Sequence, residues 1–207
     1  MPNHENESDI GEWIANKVSR GEWNFGHSVN ERELTEAFQL SRHKVRESLN
    51  ILCIEGILEK KPNKGYFVVE YDTSEAHDGY RVRANLAYLA GQLLAERISL
   101  DDLQTLRQLH SRMVSALERM EIEQYFVLNK QLHDVLFEAT KCAPLIQFNK
   151  ILQKKLSLFL HKEMSNPIGL KLSNQEHLAL INHIAEGNAK AAATCFEQHI
   201  LKGIKSL

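Results

Sequence analysis

Cysteine is scarce in this 207-residue chain, and Cys53, Cys142 and Cys195 stand far apart with no Cys-x-x-Cys pair. An odd number of isolated thiols supports neither a disulfide framework nor a thiolate zinc site, so they read as reduced core fillers. No run approaches the roughly 18 uninterrupted apolar residues of a membrane span, and residues 1–10 are polar and acidic without an apolar signal core; the expected location is cytoplasmic, with no membrane partner. Four prolines and ten glycines exclude a fibre. Charge of one sign is missing too: 25 Lys and Arg stand against 27 Asp and Glu, a formal net of −2. A protein that coats nucleic acid over its whole surface is excluded, and any DNA contact must be a local patch. His-Glu-x-x-His, Gly-x-Ser-x-Gly and a phosphate-cradling glycine loop are all absent, which argues against an enzyme.

What is present is a globular composition, 43% hydrophobic and 25% charged. Ile10, Trp13, Ile14 and Val18 are spaced as on a short amphipathic helix over 9–19. Residues 20–29 read as a loop. Asn30, with Glu33 three positions on, reads as a capping box opening a helix through Leu34, Ala37 and Phe38 to about Gln39. Ser41 caps a third helix, with Val45, Leu49 and Leu52 on one stripe, which Gly56 stops. Residues 57–61 and 66–69 then read as two strands around the turn Pro62-Asn63-Lys64-Gly65. Apolar periodicity fades over 70–79.

Beyond it the chain divides into six amphipathic segments: 80–98, 100–120, 122–140, 144–164, 173–187 and 188–205. Ser99 serves as a cap, Pro144 sits early in its helix, Ser173 and Glu176 form a capping box, and Gly187 separates the last two segments. The expected fold is mainly α: an N-terminal winged helix-turn-helix domain (1–70), a linker (71–79) and an all-α six-helix bundle (80–207).

At 100° per residue along the helix from Ser41, Arg42, His43, Arg46 and Asn50 fall outside the apolar sector. Arginines one turn apart near a helix N-terminus suit a recognition helix, where a guanidinium fork grips guanine O6 and N7 or a phosphate, and Ser41 can bond a phosphate. Between Ser41 and Lys64, Arg42, Lys44, Arg46, Lys60, Lys61 and Lys64 outnumber Glu47, Glu55 and Glu59 by three. Gly65 lets the hairpin approach a sugar-phosphate rail or a minor groove closely.

Glu31-Arg32-Glu33-Leu34-Thr35-Glu36, Leu40-Ser41-Arg42, Val45-Arg46-Glu47-Ser48-Leu49, Glu55-Gly56-Ile57-Leu58 and Asn63-Lys64-Gly65-Tyr66-Phe67-Val68 together resemble the N-terminal domain of GntR-family bacterial transcription regulators. The likeness spans nearly all of residues 9–69. It implies that Arg32, Ser41, Arg42 and Arg46 contact DNA and that Lys64 and Gly65 form the wing tip. His43 and Lys44, on the same helix, stand where the family often has small residues or proline and bear on the operator sequence. A double-stranded operator is the implied partner, read by a homodimer.

Six of the ten histidines lie beyond residue 100. Asn129 and His133, four apart, share a helix face with Phe126, Leu136 and Phe137. His177 shares a stripe with Ile181 and Ile184, and His199 with Ala192, Cys195 and Phe196. Three inward imidazoles require either hydrogen bonds or a shared cation, since each left bare costs about 1 to 3 kcal/mol. Imidazoles with one oxygen donor suit a divalent transition metal such as zinc, nickel or manganese, with positions left open for water or a carboxylate. His110, on a stripe with Leu103, Leu106, Val114 and Leu117, either lines a cavity or packs. His161 and His183 carry no assignment.

Through Asn129-x-x-Leu132-His133, Glu176-His177 and His199-Ile200 this half resembles the FCD ligand-binding domain of the FadR branch of the same family. Six segments rather than seven resemble its shorter VanR-type version. The resemblance implies a metal site of Asn129, His133, His177 and His199, a small carboxylate effector, and an effector-binding role for Arg83. Asn129 replaces a commoner Asp, which removes a negative charge. The expected function is an operator-binding regulator, a repressor, modulated by an organic acid at a metal-containing pocket. Two other readings stay open: a metal-dependent hydrolase or lyase with Asp134 or Glu176 as general base, and histidines that hydrogen-bond an acid without metal.

Overall fold

The computed structural model describes residues 8–70, 73–158 and 167–203. Two compact units are formed, Met1–Ala76 with Gln153–Lys162, and His77–Leu152 with Glu163–Leu207.

In the first unit the order is α1 (Ser8–Ser19), β1 (Ser28–Val29), α2 (Glu31–Phe38), α3 (Arg42–Ile54), β2 (Leu58–Lys61) and β3 (Gly65–Val68). Helix α1 buries Ile10, Ile14 and Val18, α2 buries Leu34 and Phe38, and α3 buries Val45, Leu49 and Leu52. These stripes meet Ile57, Leu58, Tyr66 and Val68 in one core. The junctions are capped locally. Asn30 opens α2, but its side chain accepts from the amide of Arg32 rather than from that of Glu33 as a capping box requires. Ser41 opens α3 by accepting from the amide of Lys44. Gly56, at φ 69°, closes it: the Gly56 amide reaches the Cys53 carbonyl and the Ile57 amide the Leu52 carbonyl, a Schellman arrangement.

The hairpin pairs Lys61 with Gly65 and Leu58 with Val68. Its turn has Pro62 at the first central position and Asn63, at φ 58°, at the second, with the Lys64 amide donating to the Lys61 carbonyl. That is type II turn chemistry. One expectation is corrected here: residues 28–29 are not loop but a short strand that pairs with β3, giving the sheet order β1-β3-β2. Two residues are too few to show alternation, so only the edge of β3 reveals the strand.

The second unit holds α4 (Thr73–Arg97), α5 (Leu100–Glu118), α6 (Ile122–Glu138), α7 (Ala143–Ser157), α8 (Pro167–Ala185) and α9 (Ala189–Lys202), with the ends of α4 and α7 assigned to the first unit. Ser99 caps α5 by accepting from the Asp102 amide. Two starts differ from expectation. Helix α4 begins at Thr73, so most of the stretch read as linker is helical; of 74–79 only Ala76 is buried, which left too faint a period to read. Helix α8 begins at Pro167, a residue suited to a first turn, so Ser173 lies inside the helix and does not cap it. The expected continuation over 159–164, His161 and residues 204–205 lie outside the described residues. On α4, Gly91 lets α9 approach so closely that a Cβ there would stand 2.6 Å from the backbone of Ala193. No helix among the described residues is long and apolar enough to cross a membrane.

Candidate nucleic-acid interface and metal centre

The face of α3 opposite its buried stripe is open. Ser41, Arg42, His43, Lys44 and Arg46 are all exposed, as are Lys64 and Gly65 at the hairpin tip. Gly65 holds φ 91°, which a side chain would strain. Tyr66, buried in β3, donates its hydroxyl to Asn50 Oδ1 at 2.9 Å, tying the hairpin to the helix that carries the arginines. Lys60 lies over the Tyr66 ring and Lys61 over Phe67, so these two cations lean along the strands while Lys64 stands at the tip. Two arginines are held by carboxylates. Arg32 Nε donates to Glu36 Oε1 at 2.8 Å within α2, and Arg46 Nε donates to Glu31 Oε2 at 2.7 Å between α3 and α2.

In the bundle three helices each bring one imidazole to a common point. His133 of α6 is 7% exposed and His177 of α8 is 0% exposed, and the His199 side chain of α9 is 10% exposed. Their Nε2 atoms face one another at 3.0 Å (His177 and His199), 3.1 Å (His199 and His133) and 3.3 Å (His177 and His133). A divalent ion with metal–nitrogen bonds of about 2.0–2.1 Å needs ligand atoms about 2.9–3.4 Å apart, between the octahedral and tetrahedral limits. The triangle fits that requirement. His199 Nδ1 donates to Glu176 Oε2 at 2.9 Å, which leaves its Nε2 lone pair pointing inward, as a ligand requires.

Burial holds the His133 imidazole well below its ordinary pKa, reinforced by His199, His177 and Arg83; burial does the same to His177, with His199 and His110 adding to it. Both rings are therefore neutral near pH 7, the form that binds metal. Asn129, one turn before His133 on α6, buries an Oδ1 with no hydrogen-bond partner among the described residues. That orphaned oxygen is the donor type a fourth ligand would be. The histidine Nδ1 atoms of His133 and His177 are likewise unpartnered there.

Arg83 is buried, 6% exposed, and is no surface companion of Arg81, which is exposed and paired with Asp78. Its Nε donates to Asn149 Oδ1 at 3.0 Å. Burial pulls its pKa down, against upward pulls from Tyr80 and Asp134. Tyr80, one turn earlier on α4, buries a hydroxyl with no partner among the described residues, and burial pushes its pKa up to about 12. A cationic fork, a phenol and an amide thus share the interior of the histidine-bearing unit. His110 bonds the carbonyl of Asn174 at 3.0 Å rather than joining the cluster.

Residue patterns missed the work of Glu176. Instead of capping α8 it accepts from both His199 and Lys202, linking α8 to α9. Burial would raise its carboxyl, but those two hydrogen bonds together with the electrostatic pull of His199 and Lys202 outweigh it and hold the group below the usual range. A carboxylate so engaged is a poor general base, which weakens the hydrolase or lyase reading. Asn149 and Tyr80 were missed too, since neither carries a motif. The adjacency of Glu176 to His177 is the one signal that pointed toward the first.

Comparison with known proteins adds two matches along the chain. Residues 6–68 match "Bacterial regulatory proteins, gntR family" and residues 78–202 match the FCD domain. The chain is similar to the Nta operon transcriptional regulator of Aminobacter aminovorans, 26% identical over 182 residues that cover 86% of this chain and 82% of the relative. It is also similar to the HTH-type transcriptional repressor RspR of Escherichia coli (strain K12), 20% identical over 176 residues, 84% of this chain and 77% of the relative. The solved structure of E. coli McbR/YncC shares the fold with a TM-score of 0.83 at 20% identity, covering 96% of this chain and 95% of that one.

Proposed function

The chain belongs to the GntR family of bacterial transcriptional regulators and carries an FCD domain, and from that premise we propose a dimeric repressor whose operator affinity is set by a small carboxylate bound beside a divalent metal. Residues 1–70 read DNA, 71–79 connect, and 80–207 sense and dimerise. Arg42 and Arg46 enter the major groove, with His43 and Lys44 adjusting which bases are accepted. Ser41 and Arg32 hold phosphates, and Lys64 with Gly65 at the hairpin tip follows the neighbouring sugar-phosphate rail. Two copies match the two half-sites of a near-palindromic operator. The exposure of all eight residues supports this division of labour, and the similarity to the transcriptional repressor RspR supports repression.

The single observation that carries the sensing half is the meeting of three Nε2 atoms within 3.3 Å of one another. His133, His177, His199 and Asn129 would hold the ion; zinc, nickel and manganese all accept such a set. When bound, the ion supplies open coordination positions for a carboxylate oxygen. Arg83 binds the other end of the acid, oriented by its bond to Asn149. Burial of these groups excludes water, so each polar contact counts for more than it would at the surface. An acid that prefers one arrangement of the bundle helices shifts the population toward the state with its operator affinity.

Elemental analysis of untagged protein tests the site, with wild type and His199→Ala prepared side by side. Equal metal content in the two would remove the metal from the mechanism. For the DNA half, duplexes selected from a randomised library serve as operator, and Arg46→Ala and Lys64→Ala are compared across a salt series. Unchanged affinity in both variants would sink the docking scheme.

A further inference from the structure

Carboxylates are unwelcome on a surface that must approach phosphates, yet both helices of the reading head carry them. Glu36 is easily understood: it pairs with Arg32 one turn away, both groups lie in solvent (64% and 79% exposed), and such pairs are screened and weak. Glu31 is different. Only 28% of its side chain is exposed, it lies in the first turn of α2 where the helix N-terminus favours an anion, and its partner Arg46 is fifteen residues away on α3.

The atom used is informative. Glu31 Oε2 accepts a hydrogen bond from Arg46 Nε, so the bond fixes the plane and direction of the guanidinium while leaving the Nη1/Nη2 edge free of any partner among the described residues. That edge is the one that donates two parallel hydrogen bonds to guanine O6 and N7. A phosphate can be gripped from many directions and needs no such orientation; a base edge in the major groove does. Arg42, at the start of the same helix, has no comparable brace among the described residues.

We infer that Glu31 is a specificity-determining positioning residue: its carboxylate braces Arg46 through Nε so that the free edge reads one guanine in each half-site. The inference rests on the DNA-reading role proposed above. It carries a sign that a merely structural role lacks. Removing Glu31 takes a negative charge away from the DNA face, so affinity for unrelated duplex rises while discrimination falls.

The test selects duplexes from a randomised library with wild type, then measures binding of the selected and a scrambled duplex by wild type, Arg46→Ala, Glu31→Ala, Glu31→Gln and the double variant Glu31→Ala/Arg46→Ala. Arg46→Ala identifies the base pair that Arg46 reads. At that base pair Glu31→Ala should cut the preference for guanine by about fivefold or more, against the larger loss from Arg46→Ala. Its affinity for scrambled duplex should rise by about twofold. Glu31→Gln, which keeps an acceptor without the charge, should fall between wild type and Glu31→Ala. The double variant should discriminate no worse than Arg46→Ala alone. Relaxation at no base pair or at a different one, equal loss on both duplexes, or full additivity in the double variant would overturn the inference while leaving the regulator reading intact. Enrichment of no sequence by wild type would overturn both.

Discussion

Arg46 and Arg83 are the same side chain under opposite conditions. Arg46 is mostly in solvent and pairs with the carboxylate of Glu31, whereas Arg83 is sealed in the bundle and donates its Nε to the neutral oxygen of Asn149, with Asp134 acting on it electrostatically. The contrast extends to the units around them. In the first, charge is displayed and neutralised by side chains that phosphate or a base edge can replace. In the second, polar atoms are hidden and have no hydrogen-bond partner among the described residues: Tyr80 Oη, Asn129 Oδ1, and Nδ1 of His133 and His177. A surface of replaceable pairs answers to salt and to a polyanion, while buried polar groups answer to protons and to a bound ligand.

Acid should separate the two most widely. The folded bundle holds His133 and His177 below the ordinary imidazole value near 6.5, so above that value both states are neutral and stability is full. As pH falls below it, the unfolded chain takes up protons that the fold refuses, and stability is lost at up to about 2.7 kcal/mol per pH unit for two groups. Both tryptophans, Trp13 and Trp23, belong to the first unit. Denaturant titrations of metal-free protein from pH 8 to 5, followed by tryptophan fluorescence and by far-ultraviolet circular dichroism, should show the dichroism midpoint falling much more steeply with acid. Parallel midpoints would erase the contrast.

Metal comes next. A ligand at a hundredfold its dissociation constant stabilises by about 2.7 kcal/mol. Zinc or nickel added to wild type should therefore raise the melting temperature seen by dichroism by several degrees, and His177→Ala should abolish that rise. Persistence of the full shift in the variant would place the binding elsewhere.

How much of this was legible in the residues differs between the units for a physical reason. The reading head is made of local chemistry: Ser41 as a cap, Gly56 in a Schellman turn and Pro62-Asn63 in a type II turn all act within a few residues of themselves, so α3 and the hairpin could be read directly. Strand β1 could not, because two residues become a strand only by meeting β3. In the bundle, periodicity turned His133, His177 and His199 inward, but their meeting depends on how α6, α8 and α9 cross. Arg83 looked the same as Arg81 on paper; two residues apart on a helix they face different ways, and only packing decided which one is buried. Ser173 illustrates the opposite error, a good cap residue overridden by a helix already begun at Pro167.

Packing tolerance sharpens the comparison at a smaller scale. A Cβ on Gly11 of α1 would meet Leu52 Cδ2 at 2.8 Å, the movable end of a side chain, whereas on Gly91 of α4 it would meet the backbone of Ala192 and Ala193. Replacing a helical glycine by alanine gains about 0.8–1.0 kcal/mol of helix propensity. For Gly91→Ala that gain is outweighed by separating two helices, with a net loss within the roughly 1–3 kcal/mol typical of overpacking. For Gly11→Ala the two terms should nearly cancel. Chemical denaturation of both variants checks the difference, and equal effects would mean that the α4–α9 approach yields as easily as Leu52.

The smallest effect is expected where charge is most visible. Arg32 and Glu36 form an i,i+4 pair with both groups in solvent, and such pairs contribute about 0.3–0.5 kcal/mol on helices. Glu36→Gln should change the tryptophan-monitored stability by no more than that in low salt, and by less in 0.5 M salt, where the Debye length shrinks to a few ångströms. Binding to scrambled duplex should meanwhile strengthen slightly, because Arg32 is released and a negative charge is gone. A stability loss above about 1 kcal/mol would mean that this pair helps to hold the first unit together. Its arginines would then be structural before they are functional, and the display of replaceable charge that sets this unit apart from the bundle would reduce to Arg42 and the lysines.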